Sequence, residues 1–379
     1  MALRLFHRLF KTASIAWLAL AVSAAAAGDA GWTQFRGPEG QGLSAARDVP
    51  VEWSGTKNVA WKVAIPGRGW SQPVLLNGRL YLTTGTAEGE SSGLSLRALC
   101  VDAANGGVLW DTEVFRPDPS SAGPIHQKNS PASPTPVLSR ERLYVHFGPM
   151  GTAALDLEGK VVWRQTELKY PPVHGAGGSP ILTGETLIYN ADGEKDPFVA
   201  ALDAKTGAVR WKTPRDSPAQ RQFSFSTPLA IEVAGATQVI SPGSGLVAAY
   251  DPRNGDERWR VAYGQGYSVV PRPVFAHGLL FVSSGFNQPV LYAIEPSGAA
   301  GDAGGARVAW THRKGVPHTS SMLALGDELY FISDAGIATC VDARTGNVHW
   351  TERLEGNFSA SPIAAEGRIY FQSEAGVGY

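Results

Sequence analysis

Cysteine and methionine are scarce in this 379-residue chain, with two and three copies, and no charge sign predominates at a formal net charge of −1. Balanced, scattered Lys and Arg leave no basic face for nucleic acid or an anionic membrane surface, so neither is expected as a partner. Neither a Gly-x-Ser-x-Gly elbow nor a supportable Ser-His-Asp spacing is present, which removes the common hydrolase signatures. The Gly-rich run Gly31–Gly42 has no strand leading in and no Lys-Ser/Thr after it, so it reads as an ordered surface loop and not a phosphate cradle. No apolar run is long enough to span a bilayer. The longest, from about Ala13 to Val22, follows Arg4, Arg8 and Lys11 and precedes the small-residue string Ser23–Ala27. That order predicts a signal peptide over 1–27 and a periplasmic or secreted protein, not membrane-spanning after cleavage. With no Cys at the cleavage region, a lipid anchor is not indicated.

What the chain does have is a repeat. Asp102, Gly106 and Trp110 recur as Asp156, Gly159, Trp163, as Asp203, Gly207, Trp211, as Asp251, Gly255, Trp259 and as Asp342, Gly346, Trp350, with a stretched copy at Glu295, Gly298 and Trp310. An acidic residue, a turn Gly and a Trp at this spacing predict strand, tight turn, strand. Cys100 and Cys340 both stand two residues before the Asp of their repeat. Equivalent places in separate repeats lie beyond the Cα separation of about 4.4–6.8 Å that a disulfide needs, so both are expected to be buried free thiols.

Each repeat opens on a Ser/Pro signal such as Ser71-Gln72-Pro73-Val74 or Ala360-Ser361-Pro362-Ile363, and Tyr81, Tyr144, Phe281, Tyr330 and Tyr370 follow at a fixed offset. Alternating apolar residues and turns such as Asn77-Gly78 complete four short antiparallel strands per unit. Such units repeating along a chain predict an all-β fold, a β-propeller of four-stranded antiparallel blades. The inner strand begins at the Pro, and the outer strand carries a Trp that packs on the next blade. Six units are complete and a seventh begins at Ser361, so about seven blades are represented. An isolated Trp-bearing stretch, Asn58–Ala64, reads as a closing strand for the last blade. The expected division is a signal peptide over 1–27, an N-terminal segment over 28–57 and a C-terminally incomplete propeller over 58–379.

The pattern Ala/Cys-x-Asp-x-x-Thr-Gly-x-x-x-Trp resembles the pyrroloquinoline quinone (PQQ)-like β-propeller repeat superfamily over nearly all of residues 32–379. Trp32–Gly42 and His126–Thr135 resemble its exported bacterial branch, which implies eight blades when complete. The superfamily holds quinoprotein alcohol and glucose dehydrogenases, with the quinone on the axis, commonly beside Ca²⁺, and an Asp as base. It also holds the propeller lipoprotein of outer-membrane barrel assembly. This chain has no adjacent cysteines to match the vicinal disulfide of the calcium-dependent alcohol enzymes, and no Asp, Glu and Asn that match the metal ligands one by one.

Long connections lie on one rim, where strand two joins strand three and blade joins blade: Thr83–Leu96, Arg116–Pro134, Lys169–Gly178 and Pro214–Phe225. Ser297–Arg307 reads as a floppy insertion. Loops gathered on one face of a rigid scaffold are where binding groups sit. Residues just before the inner strands should point toward the channel mouth, and they include His126, Lys128, Asn129, His174, Arg272 and His318. These donors and titratable groups suit an anionic or carbonyl-bearing ligand; otherwise they tie loops to backbone. No metal site is expected. The resulting expectation is an exported, non-catalytic, monomeric binding or assembly scaffold for an unknown protein or small molecule, with no cofactor. The alternatives are a PQQ-dependent dehydrogenase and a glycan-binding propeller using Trp70, Phe223 and Tyr267.

Overall fold

A computed structural model describes residues 31–87, 93–118, 123–264, 266–297 and 305–379. The signal segment, Gly298 and most of the Ser297–Arg307 insertion lie outside them. Among the described residues the strands form six four-stranded antiparallel sheets, each in chain order, and a seventh sheet of three strands. These are the blades of a β-propeller: 74–115, 137–165, 181–214, 229–262, 274–312, 323–353 and a seventh from 363 onward. The register follows the sequence pattern, with Val74 opposite Tyr81, Val137 opposite Tyr144, Leu323 opposite Tyr330 and Ile363 opposite Tyr370. No helix among the described residues is long and apolar enough to cross a membrane.

The core is not a single centre. Each apolar cluster lies between two consecutive blades, from blades one and two round to blades six and seven. The repeated Trp seals these seams on the outside. The indole Nε1 of Trp110, Trp163, Trp211 and Trp310 donates to the carbonyl of the residue after the next repeat's acidic residue, at 3.0–3.2 Å. A Cβ added at Gly106, Gly159, Gly207, Gly255 or Gly346 would come within 2.5–2.7 Å of the preceding Trp ring. The repeat Gly therefore serves twice, taking a positive φ in its own turn and leaving room for the neighbour's indole. A bulge recurs beside each Trp and sets Cys100 opposite Trp110 and Cys340 opposite Trp350, where other blades carry Ala. Both cysteines are free and buried.

Three expectations change. Residues 83–87 and 94–96 are strand, not loop, because Arg79–Ala87 and Leu94–Asp102 pair over nine residues. Trp61 docks on blade one as its sisters do, donating to Ala103 O at 2.9 Å, but residues 58–64 join no sheet. Among the described residues no strand stands between them and Arg368–Tyr370 in the seventh sheet. Instead Leu43–Ser44 pairs in parallel along the inner edge of Ile363–Ala365.

The third change is at the axis. Residues 31–44 are not a surface loop but run inside the ring of inner strands. Leu75 N donates to Trp32 O and Leu138 N to Thr33 O, while Gln41 exchanges hydrogen bonds with Phe275. The Arg36 guanidinium, 1% exposed, donates to the carbonyls of Gln41, Met322 and Pro362. Gly40 and Gly42, both at positive φ, lie where a Cβ would strike the guanidiniums of Arg272 and Arg36. The Gly-rich composition thus lets two arginines lie flat against backbone.

Candidate functional site

The rim of long connections carries a chain of side-chain rings around the channel mouth. The connection into blade two supplies His126, that into blade three His174, that into blade four Phe223 and that into blade five Tyr267. Phe286, between the second and third strands of blade five, and His318, before blade six, complete the arc. Successive ring centroids stand 5.2, 5.4, 5.6, 5.7 and 5.4 Å apart, most of them edge to face. A polar bridge closes the remaining gap: His318 N and Thr319 N donate to Asp334 Oδ1, and Lys128 Nζ reaches Glu374 in blade seven at 3.1 Å. Trp70, beside this bridge, donates from its backbone N to Ser130 Oγ and Ala132 O, and it is 51% exposed, as is Phe286.

Local backbone aims these groups. His174 has φ 63°, a left-handed conformation uncommon outside glycine, and its carbonyl accepts from His126 N and Asn129 Nδ2. Ser268, after Tyr267, and Asn287 and Gln288, after Phe286, are also left-handed. Backbone of this kind gathers at binding sites when surrounding contacts hold it in place. Burial, then the facing His126, pulls the His174 imidazole below its ordinary value. Burial pushes the Asp334 carboxyl up, but hydrogen bonds from His318 and Thr319 outweigh it and hold the group low. Ser359 and Lys128 hold the Glu374 carboxyl low.

Of the six candidate residues, five meet at this mouth: His126, Lys128, Asn129, His174 and His318. Arg272 does not. It is 1% exposed at the axis, donating to Pro228 O, Phe35 O and Gln34 Oε1, and burial followed by the charge of Arg36 pulls its guanidinium down to about 9. Phe286 and Asp334 escaped the sequence reading because they lie in connections between second and third strands, and Glu374 because it follows the second strand of blade seven; none precedes an inner strand. Only for Phe286 was the length of the connection an available signal. Two further cations flank the arc. Arg68 Cζ lies 5.4 Å from the Trp70 ring centroid, and Arg221 Cζ lies 4.8 Å from that of Tyr267. Among the described residues no three His, Cys, Asp or Glu side chains are grouped to hold a metal ion.

Residues 24–166, 95–335 and 295–379 match the PQQ-repeat family model described as outer membrane protein assembly factor BamB. Over 151 residues the chain is 28% identical to the lanthanide-dependent methanol dehydrogenase of Methylorubrum extorquens, covering 36% of this chain and 24% of that protein. It is 25% identical over 141 residues to methanol dehydrogenase (cytochrome c) subunit 1 of Paracoccus denitrificans, covering 33% of this chain and 22% of that protein. The matched stretches thus span about a quarter of each dehydrogenase's length. The solved structure of BamB from Moraxella catarrhalis aligns with a TM-score of 0.58 at 16% identity, over 85% of this chain and 87% of that one. That is a likeness of fold.

Proposed function

We propose, because this chain belongs to the PQQ-repeat family described as outer membrane protein assembly factor BamB, that it is an exported, non-catalytic propeller holding a protein partner on the mouth of its channel. The observation that carries this is the arc of six rings, from His126 to His318, presented by the connections of five blades on a rigid scaffold. Protein interfaces are enriched in aromatic side chains and Arg at their core, and the residues that dominate binding are chiefly Trp, Tyr and Arg. A glycan reading draws on the same aromatics but needs open ring faces, whereas Phe223 meets His174, Phe225 and Tyr267.

The dehydrogenase reading is supported by the partial similarity to two methanol dehydrogenases. The residues at the axis do not fit the calcium and quinone it requires. The hydrogen-bonding side chains there are Gln34, Arg36, Gln41, Gln72 and Arg272, bonded to one another and to backbone and including two cations, while Glu39, the carboxylate of the same segment, is exposed. Calcium is held by several oxygens, of which carboxylates supply the charge. Cys100 and Cys340 sit in separate blades and form no vicinal pair.

The test is cross-linked purification of the full chain from its native envelope, comparing wild type with Tyr267→Ala/Phe286→Ala. A partner protein lost from the variant at unchanged melting temperature is expected. Dye-linked alcohol oxidation after mixing with PQQ and Ca²⁺ would overturn the reading, as would a variant that keeps the same partner in full.

A further inference from the structure

We propose that the mouth recognises an extended, acidic, aromatic-bearing polypeptide segment through the guanidiniums of Arg68 and Arg221; this rests on the mouth being a protein-binding surface. Arg68 lies over the Trp70 ring and Arg221 over the Tyr267 ring, each positioned by a cation–π contact. Arg68 donates to Gln127 O at 3.0 Å and Arg221 to Tyr267 Oη at 2.7 Å. Each fork carries five N–H groups, and among the described residues most of these have no partner and no carboxylate pairs with either. Both side chains are exposed. A guanidinium fork held in place beside an aromatic ring can offer two parallel hydrogen bonds to a carboxylate.

The carboxylates of the arc itself are in the opposite condition. Asp334 accepts from His318 N, Thr319 N and Thr319 Oγ1, and Glu374 accepts from Lys128 Nζ and Ser359 Oγ. These acidic acceptors are satisfied internally, Glu374 by Lys128 among others, whereas Arg68 and Arg221 have no carboxylate partner among the described residues. A ligand that completes this surface brings carboxylates, and it brings apolar or aromatic groups for the half-exposed Trp70 and Phe286.

The shape of the site selects an extended chain. Residues 31–44 close the axis below the mouth, so a guest lies along the arc and does not thread it. The arc measures about 27 Å between its end rings along successive centroids. Extended chain at about 3.3 Å per residue covers that in roughly eight residues.

The test uses three end-labelled ten-residue peptides of alternating Asp-Tyr, Ser-Tyr and Lys-Tyr, titrated with the full chain by fluorescence anisotropy. Asp-Tyr is expected to bind at least ten-fold tighter than Ser-Tyr, with Lys-Tyr weakest. Arg68→Gln/Arg221→Gln should bring Asp-Tyr within two-fold of Ser-Tyr, while Arg344→Gln on the opposite rim leaves the preference intact. Equal affinities that vanish together in Tyr267→Ala/Phe286→Ala would overturn the charge recognition and leave the protein-binding mouth standing. No binding by any peptide, or chitotetraose binding lost in that aromatic variant, would overturn both.

Discussion

His146 ends the second strand of blade two, fully buried, with Nδ1 2.8 Å from Thr152 Oγ1 and its ring centroid 4.3 Å from that of Tyr189. Burial pulls its imidazole down from 6.5 to about 3. The unfolded chain takes up a proton that the fold refuses, so this residue lowers stability as pH falls below 6.5, until about 3. At pH 5 the loss is about 2 kcal/mol. Asp192 has the opposite sign. Burial raises its carboxyl to about 6 against the pull of Arg215, so acidification through that range favours the fold at this residue. His146→Gln is expected to narrow the drop in denaturation free energy between pH 7 and pH 5 by about 2 kcal/mol. An unchanged drop in urea titrations would show that His146 is not the proton-linked group. The strand position of His146 was legible in the sequence, but not whether the ring there is buried or solvated. The fate of Arg272 was not: its place before an inner strand is readable, but the backbone carbonyls that bind it come from residues remote in sequence.

Among whole elements, the outer strands were the most legible because one residue type repeats at one spacing. The Gly-to-Trp interval encodes both the turn and the seam it closes, so blade count and strand order followed from it. Docking also ranks the copies. Trp211 is 8% exposed and donates to Pro252 O, whereas Trp350 is 39% exposed on a strand exposed throughout, with no indole hydrogen bond among the described residues. Trp211→Ala should cost about 3–5 kcal/mol, the range for a buried Trp. Trp350→Ala should cost about 1 kcal/mol or less. Equal costs in urea denaturation would mean that indole docking does not hold the blades together. The short segment at residues 31–44 was illegible at this scale because it has neither period: its shape comes from glycines that accommodate arginines, one of them more than two hundred residues away.

For the whole molecule, that segment changes what kind of object the propeller is. Repeat arrays that touch only nearest neighbours unfold piecewise, with stability summed from unit and interface terms. Here residues 31–44 bond directly to blades one, two, five, six and seven, tying blades that are distant along the ring. Arg36 is the pivot, since its guanidinium spans Met322 O and Pro362 O while its own backbone N donates to Gln72 Oε1. Arg36→Met keeps the bulk and removes the donors, leaving buried carbonyls unsatisfied at about 1–3 kcal/mol each. The loss should fall where the latch fell, so hydrogen exchange in Ile363–Ala365 and Leu323–Leu325 accelerates while blades three and four, to which no hydrogen bond from the segment runs among the described residues, keep their protection. Uniform acceleration across all blades would mean that the ring already unfolds as one unit without the latch. Unchanged protection in blades six and seven would mean that the parallel pairing of Leu43–Ser44 holds the segment alone.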